Sequence, residues 1–306
     1  MSFQYNAIQK TVSHPRIRTY QNFFQKHTDH EVYGVYIWNK VLCGAIYPLL
    51  QSVEVSLRNA INDAAVNEFG TYWHETITHM PRPNGADDYN YSNLKSNFET
   101  ARKNWLRKEN KKRRKNNQQT LPHYHKPDFN CVVAETELST WEFSLHRCLY
   151  KLNGVNFLWP KITNNVFKNW SHQSSNDTRD QAFKLVSEIR PFRNRLSHHE
   201  PLWKGVNVTT ETQALTFINK KIDAIEKLLL MICDERLSFV KSKKLIINAR
   251  LLATRHQLDL YRERNKVKQL SLKNKTKIRK FINSLTEESP FEVIELAGRK
   301  ISIKLI

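Results

Sequence analysis

The sequence predicts an all-α protein. Apolar residues recur every three or four positions through most of the long segments, as they must along a buried helical face. Glycine is scarce, at seven in 306 residues, which disfavours a turn-rich β fold and any glycine-loop phosphate cradle. Alternation with a period of two is confined to the last few residues. With 306 residues, 40% of them hydrophobic, the chain can bury a substantial core as one large domain or two smaller ones.

Each element follows from local pattern. Tyr33 to Trp38 leads into a helix that runs past Pro48 to about Phe69; Leu50, Leu57, Ile61 and Ala64 share its buried face, and Gly70 is a stop. Pro81, Pro83, Asn84 and Gly85 mark a loop. Residues 92–116 read as a strongly basic helix, followed by a polar loop from Gln118 to Pro127. From Cys131 to Tyr150, helical spacing joins Val132, Leu138, Trp141, Leu145, Cys148 and Leu149. Asp180 to Leu196 carries the stripe Leu185, Ile189, Phe192, Leu196, with Pro191 expected to kink or restart the helix. Phe217 to Cys233 is a further amphipathic helix through Ile218, Ile222, Ile225, Leu229 and Ile232.

After Asp234 the composition becomes basic, with Asp259 and Glu263 the only acids between Lys241 and Lys280. Two helices are expected there, about 238–268 and 274–285. The end of the chain alternates at Val293, Glu295, Ile301, Ile303 and Leu305 around Ala297-Gly298-Arg299-Lys300, the pattern of a short β-hairpin. These shifts divide the chain into a helical domain, 1–235, and a basic C-terminal extension, 236–306, with the character of a small nucleic-acid-binding module.

Charge names a class of partner. Lys and Arg number 49 against 29 Asp and Glu, a net charge of +20, which concentrates polyanions at the surface and speeds their encounter with it. Membrane attachment would need an apolar stripe beside the basic face, and the sequence shows none cleanly. Cys43, Cys131, Cys148 and Cys233 are scattered and read as buried thiols in a reducing cytoplasm. No signal peptide or spanning segment is expected, so the location expected is cytoplasmic. His123 with His125, and His198 with His199, have spacings that place no two ligands on one helical face. No metal or cofactor is expected.

The most specific stretch is Arg193-Asn194-Arg195-Leu196-Ser197-His198-His199-Glu200-Pro201. A guanidinium grips phosphate oxygens in a planar fork and offsets transition-state charge, while an imidazole moves protons near neutral pH. Together they suit phosphodiester cleavage without a metal. On an ideal helix Arg193 and His198 stand about 140° apart, so a shared site needs a long reach by Arg193 or a break near Ser197. His199 fits the spacing as well as His198. Asn194 aligns with His198 at i, i+4. On the first long helix, Glu54 and Arg58 form another i, i+4 pair, either a helix-stabilising ion pair or an imidazole-orienting acid beside a phosphate-holding base. Arg102, Lys103, Arg107, Lys111, Arg113 and Arg114 on the basic helix form a candidate track for RNA phosphates, with Trp105 as a stacking platform; the alternative is a merely solvated face.

The motif resembles the R-x4-6-H signature of the HEPN superfamily, and more closely its Abi-like (abortive infection) branch, where the pattern commonly reads Arg-Asn-x-x-x-His-His. The stretch from Tyr47 to Ala60 is similar to that family's first long helix, and Phe69-Gly70-Thr71-Tyr72-Trp73 to the segment after it. Phe129, Glu135, Leu138, Trp141, Phe143 and Leu158-Trp159-Pro160 resemble its middle. The similarity spans residues 15–235 and fades beyond. It implies an all-α domain, a homodimer with a composite site made of two motif copies, and metal-independent endoribonuclease activity in bacterial defence or toxin systems. It further implies that His198, the first imidazole, is the catalytic one. A silenced toxin implies a restraining antitoxin, protein or RNA. Two other readings fit the same residues: a non-catalytic RNA-binding protein with a structural motif, and a DNA-binding regulator built around the C-terminal module.

Overall fold

A computed structural model describes residues 4–24, 28–169, 174–262, 268–269, 275–284, 291–296 and 299–304. Its helices are α1 Tyr5–Val12, α2 His14–Phe23, α3 Asp29–Phe69, α4 Trp73–Thr76, α5 Tyr89–Lys115, α6 Phe129–Ala134, α7 Leu138–Ser144, α8 Thr163–Val166, α9 Ser175–Ser197, α10 Glu211–Ile232, α11 Asp234–Ser242, α12 Leu245–Leu252, α13 Arg255–Tyr261 and α14 Lys275–Asn283. Strands β1 Lys268–Gln269, β2 Phe291–Leu296 and β3 Arg299–Lys304 form a small sheet, β1 parallel and β3 antiparallel to β2. The fold is all-α apart from this sheet. No helix among the described residues is long and apolar enough to cross a membrane.

By compactness the chain divides into Val41–Leu251 and a unit that joins Met1–Lys40 to Leu252–Ile306. The composition shift at residue 235 therefore falls inside the larger unit. That unit is built around the stripes seen in the sequence. Leu50, Leu57 and Ile61 of α3, Ile189 and Phe192 of α9, and Ile218, Ile222, Ile225 and Leu229 of α10 are all essentially inaccessible. α10 begins with a capping box in which Thr210 and Gln213 satisfy each other's exposed backbone N–H groups. α3 ends at Gly70, whose φ of 84° is open to glycine at no steric cost. In the smaller unit Ile17, Tyr20, Phe24, Val35 and Trp38 are buried, and Trp38 donates its indole N–H to the Leu252 carbonyl at 2.8 Å. A Cβ on Gly34 would stand 2.0 Å from the Tyr261 carbonyl oxygen, so only glycine permits that approach.

Several expectations need correction. The helix expected over 131–150 is three pieces: α6, α7 and a 3-10 turn at Arg147–Leu149. Its apolar positions are buried, but the His146 side chain accepts the Cys148 N–H and starts a new turn. The helix expected over 238–268 is likewise broken into α11, α12 and α13; residues 263–267 lie outside the described residues, and Lys268 belongs to β1. Lys244 takes φ 58°, and the Thr254 hydroxyl caps α13; a periodic stripe does not reveal such breaks. α9 runs through Pro191 without interruption. Of the four cysteines only Cys148 is buried, the rest being partly exposed, and none forms a disulfide. β2 and β3 form the expected hairpin; Ala297, Gly298 and Leu305 of that expectation lie outside the described residues.

Candidate functional site

The motif occupies the last turns of α9 and the chain immediately after it. Ser174 caps the helix start by accepting the Asp177 N–H, and the buried Leu185, Ile189, Phe192 and Leu196 fix its rotation. Arg193, Asn194 and Arg195 are therefore left half-buried on its polar flank. The helix ends in a Schellman turn. His199 N–H meets the Leu196 carbonyl at 3.0 Å and Glu200 N–H meets the Arg195 carbonyl at 2.8 Å, with His199 at φ 58°. His198 is the cap, at φ −87°, and its N–H bonds the Asn194 carbonyl at 2.9 Å. Pro201 cannot continue a helix, and Pro201, Leu202 and Trp203 are buried. The two histidines are exposed but have different backbones: His198 closes the helix, and His199 holds the left-handed position usually given to glycine.

Tertiary contact joins Arg193 to Glu54. Arg193 Nε lies 3.3 Å from Glu54 Oε2, with the two side chains 32% and 22% exposed. The carboxylate engages Nε, and the terminal guanidinium nitrogens take no part in that contact. Glu54 thus faces the motif arginine, whereas Arg58 donates its Nε to Asn59 Oδ1 at 3.1 Å. No hydrogen bond joins Arg193 to His198 among the described residues.

Further pairs hold α9 to its neighbours. Arg190 pairs with Glu142 of α7, a carboxylate that also accepts the Ser187 hydroxyl at 2.8 Å. Lys221 of α10 reaches Glu188 at 3.4 Å. Sequence reasoning missed Glu142, which is 6% exposed; its only signal was one acid within the apolar stretch around Trp141. A buried carboxylate so placed needs a cation opposite it.

The basic helix α5 has two unlike flanks. On one, Arg102 grips Glu99 through Nε at 2.9 Å and Nη2 at 2.8 Å, and gives Nη1 to the carbonyls of His123 and His125. Asn110 exchanges two hydrogen bonds with the Leu121 backbone, and Arg113 holds Glu109 and the Gln119 carbonyl. Arg102 and Arg113 thus tie the connection after α5 to the helix. Glu99 accordingly has its pKa pulled down to about 2, chiefly by its hydrogen bond from Arg102. The other flank presents Lys103, Arg107, Lys111 and Arg114, all exposed and spaced by four, four and three residues. Lys103 lies 3.3 Å from Glu99, and Arg107 contacts Asn104 Oδ1 at 3.4 Å. Trp105 is half-buried, its ring nearly parallel to that of His125.

Comparison with known proteins places this geometry. A family model described as Abi-like protein matches residues 3–204, two thirds of the chain and all of the motif. No curated protein and no solved structure matches.

Proposed function

The chain belongs to the Abi-like family, and from that premise we propose that it is a metal-independent endoribonuclease of a bacterial abortive-infection or toxin-type defence system, built on a HEPN-type helical domain. The observation that carries the reading is the half-exposed Arg193, its Nε against Glu54 and its outer nitrogens free of that contact, on the helix that His198 ends.

In this mechanism His198 accepts the proton of a ribose 2′-hydroxyl as that oxygen attacks the adjacent phosphorus. Arg193 stabilises the doubly charged phosphorane. An imidazolium, supplied by a second copy, protonates the departing 5′-oxygen. The products are a 2′,3′-cyclic phosphate and a 5′-hydroxyl, and DNA, which lacks the attacking hydroxyl, is inert. Asn194 and His199 flank the two principal groups, and the Lys103–Arg114 stripe supplies a separate phosphate track. A homodimer would complete the site. Val41, Tyr47 and Val55 of α3 are 38%, 52% and 36% exposed; Val55 adjoins Glu54, so this apolar edge begins beside the partner of Arg193 and offers a face to the second copy. The restraint on such a toxin is an antitoxin of protein or RNA.

The test is incubation of purified protein with defined RNAs in EDTA, followed by mapping of the ends. Cyclic phosphate ends from the native protein, lost in His198→Ala, are expected. RNA that is bound but uncut would instead favour the non-catalytic reading.

A further inference from the structure

Away from the motif, the fold gathers three donor side chains that are distant in sequence. Asp88 caps the start of α5, while His146 and Cys148 bracket the first residue of the 3-10 turn. One ligand atom from each, a carboxylate oxygen, a ring nitrogen and the Cys148 sulfur, lies within 4.8 Å of the other two. His146 Nδ1 stands 3.6 Å from Asp88 Oδ1, beyond hydrogen-bond reach. The Cys148 backbone N–H approaches the same nitrogen at a long 3.4 Å.

Within the trio the Cys148 thiol bonds the Asp88 carboxylate, and groups outside it hold Asp88 and Cys148 as well. Asp88 Oδ1 accepts the Asn90 backbone and side-chain N–H groups at 2.8 and 3.0 Å. Cys148 is 3% exposed and fixed by its carbonyl, which accepts the Met80 N–H at 2.8 Å. The charged neighbours are Arg147, Arg179 and Asp180. Arg179, 1% exposed, is already engaged by the Leu145 carbonyl, Asn176, Asp180 and the Tyr150 ring.

We propose that Asp88, His146 and Cys148 bind one zinc ion. Imidazole nitrogen, thiolate and carboxylate are its ordinary donors, and in a tetrahedral shell such atoms stand about 3.3–3.8 Å apart. The Asp88–His146 separation of 3.6 Å already matches that edge, and rotation of the side chains closes the remainder. On binding, the Cys148 S–H bond breaks, its proton passes to solvent, and the sulfur's electron pair forms the bond to zinc. Two anionic donors and a dication then sum to zero, which a poorly solvated position favours. Water takes the fourth place. The ion clamps the start of α5 to the 3-10 turn. It shares no residue with Arg193 and His198, so the site stands whether or not the nuclease reading does.

Titration of the 306-residue chain with cobalt(II), and then with zinc, tests the proposal. One equivalent of cobalt should bind with a thiolate-to-metal charge-transfer band in the near ultraviolet, and zinc should abolish that band and raise the melting temperature. Cys148→Ser should lose the band. Asp88→Asn retains a side chain that caps helices equally well, so it guards against a folding defect; it should weaken zinc binding by more than about tenfold. A folded native protein with no charge-transfer band, or equal zinc affinity in native protein and Asp88→Asn, would overturn the assignment.

Discussion

His74 gives the fold a specific sensitivity to acid. Its ring is 8% exposed and stacks on Phe98 with centroids 4.2 Å apart and on Phe129 at 5.5 Å, and its Nδ1 has no hydrogen-bond partner among the described residues. Burial pushes its pKa down to about 4, against partial opposition from Glu75. The unfolded chain, with its histidine near pKa 6.5, therefore takes up a proton that the native state refuses. Stability is complete above that value and declines as the pH falls towards 4. Linkage puts the loss at pH 5 on the order of 2 kcal/mol, a large share of the ~5–15 kcal/mol typical of a domain. His74→Phe keeps a three-ring stack and removes the titration. Urea unfolding at pH 7.5 and pH 5 should show the native protein losing about 2 kcal/mol more than the variant. The stability from Glu99, whose pKa falls from 4.5 to about 2, is lost mainly below pH 5 and alike in both proteins. His146, also shifted down by burial, contributes alike to both proteins. Equal losses in the two would refute the reasoning.

Other outcomes follow from the site. His198→Ala should abolish RNA cleavage, whereas His199→Gly should preserve it and stabilise the protein by about 0.5–1 kcal/mol, the relief of a left-handed non-glycine residue less the added freedom of the unfolded chain; a cleavage gel and a thermal melt read both. Glu54→Ala should reduce cleavage about tenfold, near 1.4 kcal/mol in the barrier, yet shift the unfolding free energy by less than about 1 kcal/mol, since the pair is partly exposed and screened; single-turnover rates and denaturation separate the two effects. Replacing Lys103, Arg107, Lys111 and Arg114 with Gln should lower the log–log salt slope of RNA binding by about 3. Arg102→Ala, on the tied flank, should instead destabilise by about 1–3 kcal/mol.

Long periodic segments were legible in the sequence because a buried face imposes its spacing on every turn. The stripes of α9 and α10, and the stop at Gly70, are the clearest cases. Short elements were not, because their ends depend on single polar contacts. The cap from His146 and the left-handed Lys244 each split a segment that periodicity alone would join. The motif could be located from Arg193 and His198, and Glu54 was read either as the mate of Arg58 or as an acid orienting an imidazole; its contact with Arg193, 139 positions away, could not be read. Charge counting treated the cations of α5 alike, although Arg102 and Arg113 are occupied by carbonyls that only the folded chain presents. The convergence of Asp88 with His146 and Cys148 was invisible for the same reason.

Termination of α9 at His198 has a consequence for how such a site evolves. The backbone of that residue is anchored by the last turn on one side and by a reversal on the other, so the ring turns like a rotor on a fixed mount. Residues 199 to 201 set the bearing of that mount. Changes there would re-aim the His198 ring while the arginine and its acidic neighbour stay as they are.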